Sequence, residues 1–214
     1  MKKTLALFAI LTLFSFSLYA LERHSTLAAS LGFGSEEGSD NGISASAHQG
    51  NFGFFMGAGI FPDESNIGFH YDMDWHLVNW ASNSSGSAGS SSIAGKNSFS
   101  LAQQIGLGPS FKTENDDFLL QFSPELSIGL EMETGKIYGK SYSYMGFLFG
   151  FGSDISFAFN PGNKYSFVAG SHLAYYPVYK PSLKINDTTY NLDLDNYSRF
   201  MMNIYLGIQI LNYR

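Results

Sequence analysis

From Phe118 to Glu131 the chain alternates, position by position, between apolar and polar side chains. Phe118, Leu120, Phe122, Leu126, Ile128 and Leu130 fall on one face; Gln121, Ser123, Glu125, Ser127, Gly129 and Glu131 fall on the other. A period of two is the mark of a β-strand with two unlike faces. Seven further segments carry it: residues 25–34, 43–61, 66–80, 97–111, 143–159, 164–177 and 198–213. In one, Phe69, Tyr71, Met73, Trp75 and Leu77 oppose Gly68, His70, Asp72, Asp74 and His76; in another, Phe147, Phe149 and Phe151 oppose Gly146, Gly150, Gly152 and Asp154. Two irregularities are expected. Ile43, Ala45 and Ala47 share a face that Phe52, Phe54 and Met56 then take over, which predicts a bulge at Gln49-Gly50-Asn51. Pro124 sits on an apolar face, where its missing N–H predicts a bulge or local distortion.

The connections arrange these strands. Pro62–Ser65, Thr113–Asp116 and Asn160–Asn163 are short and rich in turn formers. They take turns with longer polar stretches, 35–42, 81–96, 132–142 and 178–197. Eight strands joined by alternating short and long connections predict an all-β fold, an eight-stranded antiparallel transmembrane β-barrel of up-and-down meander type. The sheet must close on itself, because lipid offers no water to an open edge. Each segment matches or exceeds the ~9–11 tilted residues that cross a bilayer.

Composition decides which face is outside. The chain has 20 Phe, 13 Tyr and 23 Gly but only 14% charged residues. A soluble barrel would use the same alternation with its apolar faces inward. The second face here is Gly, Ser and Ala with a few acids, a poor coat against water and a good filling for a narrow lumen. A net charge of −6 argues against nucleic acid as a partner, and the absence of cysteine excludes a disulfide framework. Met1-Lys2-Lys3, an apolar run from Leu5 to Phe16 and Ser17-Leu18-Tyr19-Ala20 read as a signal peptide cut after Ala20. The expected organisation is therefore residues 1–20 as leader and 21–214 as barrel.

With these features the chain resembles the small bacterial outer-membrane barrels of the OmpX, OmpW and OmpA-membrane-domain families, by architecture over the whole of residues 21–214. Its last strand, Phe200 to Ile210, looks like the alternating terminal segment that barrel-assembly machinery reads, although the chain ends Asn212-Tyr213-Arg214 instead of on an aromatic residue. The resemblance implies an outer-membrane location, outer-membrane lipid and the assembly machinery as partners, and exposed loops that meet a host or extracellular ligand. It also supplies enzymatic precedents: lipid A deacylases, palmitoyltransferases and omptin-type proteases. Their sites combine His with Ser or Asp, and no Ser-His-acid grouping can be placed here by spacing.

The candidate residues form two sets. His70, Asp72, Asp74 and His76, with Glu125, Glu131, Asp154 and His172, are expected to face the lumen as a polar network. His and carboxylate suit divalent metals, yet same-face neighbours on one strand stand about 6.6 Å apart, and the sequence shows no second half-site. The expectation is no metal and no cofactor. The registers place no Lys or Arg inward at the strand centres, so any conductance is expected to be small and cation-preferring. Surface interaction is assigned to the last connection, at Lys180, Lys184, Asp187 and Tyr190, where Leu183–Leu192 reads as a short hairpin. Ser82–Ser92 reads as a solvated low-complexity loop. The function read from the sequence is structural or surface interaction, with a narrow pore as the alternative and no enzymatic activity.

Overall fold

In the computed structural model, residues 21–40, 43–85, 99–137, 140–185, 188–191 and 195–212 are described; the expected leader lies outside them. The strands are β1 (Leu21–Asp40), β2 (Ile43–Pro62), β3 (Ile67–Ser85), β4 (Phe99–Glu114), β5 (Phe118–Ile137), β6 (Lys140–Phe159), β7 (Tyr165–Ile185), β8 (Thr188–Asn191) and β9 (Asp195–Asn212). From β1 to β7 each strand pairs antiparallel with its sequence neighbour. β9 pairs with both β1 and β7, which closes an eight-stranded meander. The short β8 pairs with Ser182–Ile185 of β7 and forms the hairpin expected there.

The apolar faces are outside. Leu31 (63% exposed), Phe54 (58%), Phe151 (57%) and Leu206 (55%) stand on the outer wall. Their sequence neighbours Ser30, Phe55, Gly150 and Tyr205 are buried within. Water would reject such a belt, and hydrocarbon accepts it. At its lower edge Arg23 donates to the Tyr71 hydroxyl at 2.6 Å, and Lys164 lies 5.6 Å from the centre of the Tyr165 ring. Aromatic rings with cations beside them are the residues of a membrane interface.

The strands run well past the bilayer. β1 pairs with β2 as far as Asp40↔Ile43, and β5 with β6 as far as Ile137↔Lys140. Two expected long loops, 35–42 and 132–142, are thus mostly sheet. Their polarity reflects contact with solvent rather than lack of pairing, since a hairpin above the membrane still satisfies its own backbone.

The expected bulge at Gln49-Gly50-Asn51 does not occur, and β2 stays in unbroken register with β1 and β3 through these residues. Pro124 does distort the sheet. The β4–β5 ladder pairs Leu107↔Leu126 and Phe111↔Phe122 with a gap between them, in which Pro109 and Pro124 stand opposite each other. Neither has an N–H to give. Gly108 lies so close there that a Cβ on it would meet the Pro124 carbonyl oxygen at 1.9 Å. A register shift between β6 and β7, beside Phe149 and Phe151, turns Tyr179 inward and leaves Lys180 outside.

The three short turns use local chemistry. The Ser65 N–H donates to the Pro62 carbonyl at 3.0 Å, with Glu64 at φ 58°. The Asn115 side-chain oxygen accepts from the N–H groups of Asp117 and Phe118, each at 2.9 Å. Asn160, at φ 52°, opens the third turn.

Candidate functional site in the barrel lumen

The inward faces of the eight strands meet in layers. At the periplasmic mouth, below the apolar belt, Lys112 is clasped by Glu22 and by Glu114 at 3.0 Å. The Lys112 ammonium lies 5.1 Å from the centre of the Phe61 ring, and His24 reaches Glu22 at 2.5 Å. Burial alone would raise the Glu22 pKa, but the hydrogen bonds and charges of His24 and Lys112 win and hold it at about 2.

Above the mouth, Gln121 donates to His70 Nδ1 at 3.1 Å, which leaves His70 Nε2 to face Asp72 Oδ2 at 2.9 Å. Asp72 Oδ1 accepts the Gly106 N–H at 3.1 Å. The His172 ring lies between two carboxylates, with Nδ1 2.8 Å from Asp74 and Nε2 2.5 Å from Glu125. His172 thus bridges two acids of different strands, Asp74 of β3 and Glu125 of β5. Asn203 donates to Asp74 at 3.2 Å and to His76 Nε2 at 3.3 Å, and His76 Nδ1 donates to the Asn51 oxygen at 3.2 Å. Asp154 accepts from the Tyr205 hydroxyl at 2.8 Å, and the Tyr205 ring stacks on Phe55 at 4.1 Å.

Higher still, Arg199 donates to Glu131 at 2.6 Å and to Gln49 at 2.9 Å, while Ser100 donates to the other Glu131 oxygen at 2.7 Å. Leu148, Ala174, Tyr176 and Met201 pack beside this bracket. At the extracellular rim Tyr179 stacks on Tyr197 at 4.3 Å, and the Tyr197 hydroxyl donates to Glu36 at 2.9 Å. Burial pushes the Glu36 carboxyl above its ordinary pKa, against the pull of Arg199.

His70, Asp72, Asp74, His76, Glu125, Glu131, Asp154 and His172 all point into the barrel, none more than 6% exposed. Lys180 and Lys184 are exposed on the extension of β7. The backbone of Tyr190, in β8, pairs with Leu183. Asp187 lies outside the described residues.

No Lys or Arg is expected inward at the strand centres, but two basic residues do enter the lumen near the ends of their strands. Arg199 is 1% exposed and Lys112 7%. Arg199 stands two and four positions before Met201 and Asn203, so the parity that places Asn203 inside carries Arg199 with it. The argument for cation preference loses its premise, since the acids have a basic partner among them. Sequence reasoning also misses the large inward rings of Phe55 and Phe61, because it assigns aromatic residues to the lipid face.

No protein-family model matches the sequence, and no curated protein does. Solved structures share its fold. A major outer membrane protein from Thermus thermophilus is 11% identical, with 87% of this chain and 99% of that one covered and a TM-score of 0.57. The outer membrane protein OprG from Pseudomonas aeruginosa is 10% identical, with 91% and 97% covered and a TM-score of 0.56. The fold is that of outer-membrane β-barrels.

Proposed function

We propose that this chain is an outer-membrane barrel with a filled lumen that acts through its surface, as a structural or interaction protein, and neither conducts solutes nor catalyses a reaction. One observation carries the reading. Side chains from opposite walls interlock across the barrel, with Arg199 of β9 reaching Glu131 of β5 and Gln49 of β2, all at most 4% exposed. A conducting pore needs wetted walls, and a hydrolytic site needs a substrate path to its histidine. The partners of His70, His76 and His172 are carboxylates and amides in the closed interior.

What remains available is the sheet above the membrane. On its β6–β7–β8 side it presents exposed Lys180 and Lys184 beside a hairpin that continues the wall, a surface suited to an anionic extracellular partner. Planar-bilayer recording of the folded protein is expected to give no steady conductance steps. Stable openings would overturn the filled-lumen reading. Removal of residues 183–192 is expected to abolish cell-surface binding while the barrel still shows its heat-dependent shift on a gel; unchanged binding would reject this surface.

A further inference from the structure

The geometry points to a site for a divalent transition-metal ion of the zinc class inside the lumen, held by His70, Asp72 and Glu125. A ligand atom of each lies within 4.8 Å of the others, and all three residues are buried. His70 and Asp72 share the inner face of β3, which by itself is half a site. The second half comes from β5, two strands away, across β4.

Gly106 makes that reach possible. It pairs with Asp72 and gives its N–H to Asp72 Oδ1 at 3.1 Å. A Cβ on it would meet Glu125 Oε2 at 2.3 Å. The position is kept bare so that the two carboxylates converge over β4. On the other flank Glu125 pairs with Gly152, whose Cβ would meet Glu125 Oε1 at 2.6 Å.

The independent observation is Glu125 Oε2. Its partner oxygen, Oε1, is taken by His172. Oε2 is buried without any hydrogen-bond partner, and the residue is only 6% exposed. A lone carboxylate oxygen aimed at a second carboxylate in a dry interior is strongly unfavourable unless a cation or a shared proton lies between them. His70 Nε2, 2.9 Å from Asp72 Oδ2, completes the donor set when the ring proton sits on Nδ1, with the Gln121 amide turned so that its oxygen accepts it. The His70–Asp72 spacing is what bonds of about 2 Å to one shared ion produce, Glu125 lies within 4.8 Å of both, and one imidazole with two carboxylates suits zinc-like ions.

Because the lumen is filled, the ion enters as the barrel closes and does not exchange afterwards. The test is to refold the full chain into detergent micelles with Zn²⁺, desalt it, and measure metal by mass spectrometry. About one ion per chain is expected, retained through an EDTA wash. Glu125→Gln and Asp72→Asn, checked for folding by gel shift, are expected to lose at least tenfold in occupancy, whereas His24→Gln at the mouth keeps it. Should those variants not fold, X-ray absorption of the zinc-loaded wild type reads the ligands directly: one histidine with oxygen neighbours supports the site. Wild type that retains no zinc, zinc retained by Glu125→Gln, or an absorption spectrum without histidine overturns it. A proton shared by the two carboxylates would give the first of these results.

Discussion

The mouth and the upper lumen each hold a basic side chain between acids, and they solve the same problem with different residues. At the mouth Lys112 joins Glu22 and Glu114, and the Glu114 side chain is 38% exposed. In the upper lumen Arg199 joins Glu131, with neither side chain above 1%. A lysine is a flexible point charge, and Lys112 shares it between a mostly buried carboxylate and one open to water. A guanidinium is planar and bonds in several directions at once, so Arg199 satisfies Glu131 and Gln49 from one rigid group. The same charge pairing therefore opens to water through Glu114 at one end and is sealed as a cross-lumen tie at the other.

Breaking the tie has the larger expected effect. Arg199→Met takes the guanidinium away from the buried Glu131 carboxylate and leaves its Ser100 hydrogen bond in place. The expected loss is about 3–5 kcal/mol, the usual consequence of removing one partner from a buried pair. Urea unfolding in detergent, followed by gel shift, measures it. The double variant Arg199→Met with Glu131→Leu is expected to recover most of the loss, because it removes the charge together with its partner. If Arg199→Met is no more harmful than Lys112→Met, the contrast between the two regions is void.

A single hydroxyl bond at the middle level should fall between the two. Tyr205→Phe deletes the donor to Asp154 Oδ1 and leaves the stack on Phe55 in place. A buried acceptor deprived of its hydrogen bond costs about 1–3 kcal/mol, measured by the same unfolding assay. The phenyl ring of that variant would still fill the lumen, so a larger loss would mean that the hydroxyl ties more than Asp154.

The architecture was readable because the outer face is chemically uniform. Phe, Leu and Ile at every second position show which face of a strand meets lipid without knowledge of its neighbours. The inner face obeys no such rule. It must fill a tapering space and satisfy its own polar groups, so it mixes Phe55 and Tyr205 with Asp74, His172 and Arg199. Alternation gives the side of the sheet a residue occupies, but not its partner across the barrel. That Glu125 meets His172 of β7 depends on stagger and on bare positions such as Gly152 and Gly106. Polarity also misled at the strand ends. Residues 35–40 look like a loop because they are solvated, while their backbone pairing is a property of the hairpin. The hairpin at 183–192 was legible for the opposite reason: apolar Leu183 and Ile185 alternate there in a polar stretch.

The smallest expected effect is at the mouth, and pH separates it from the rest. Glu22 is held at about 2, below its ordinary value near 4.5. A depressed carboxylate contributes stability that is present above the unfolded value and is lost as pH falls through the folded one. The Glu22–Lys112–His24 cluster should therefore weaken between about pH 4.5 and 2. Other carboxylates titrate in the same range, so the readout is the difference between wild type and Lys112→Met rather than either curve alone. At neutral pH the substitution is expected to lose less than Arg199→Met does, because Glu114, one of the two carboxylates on Lys112, is open to water. On acidification the two curves should converge, because protonated Glu22 no longer distinguishes lysine from methionine. A gap that stays constant down to about pH 2 would mean that Lys112 stabilises the barrel through its packing on Phe61, and the mouth would then differ from the upper lumen in kind and not merely in screening.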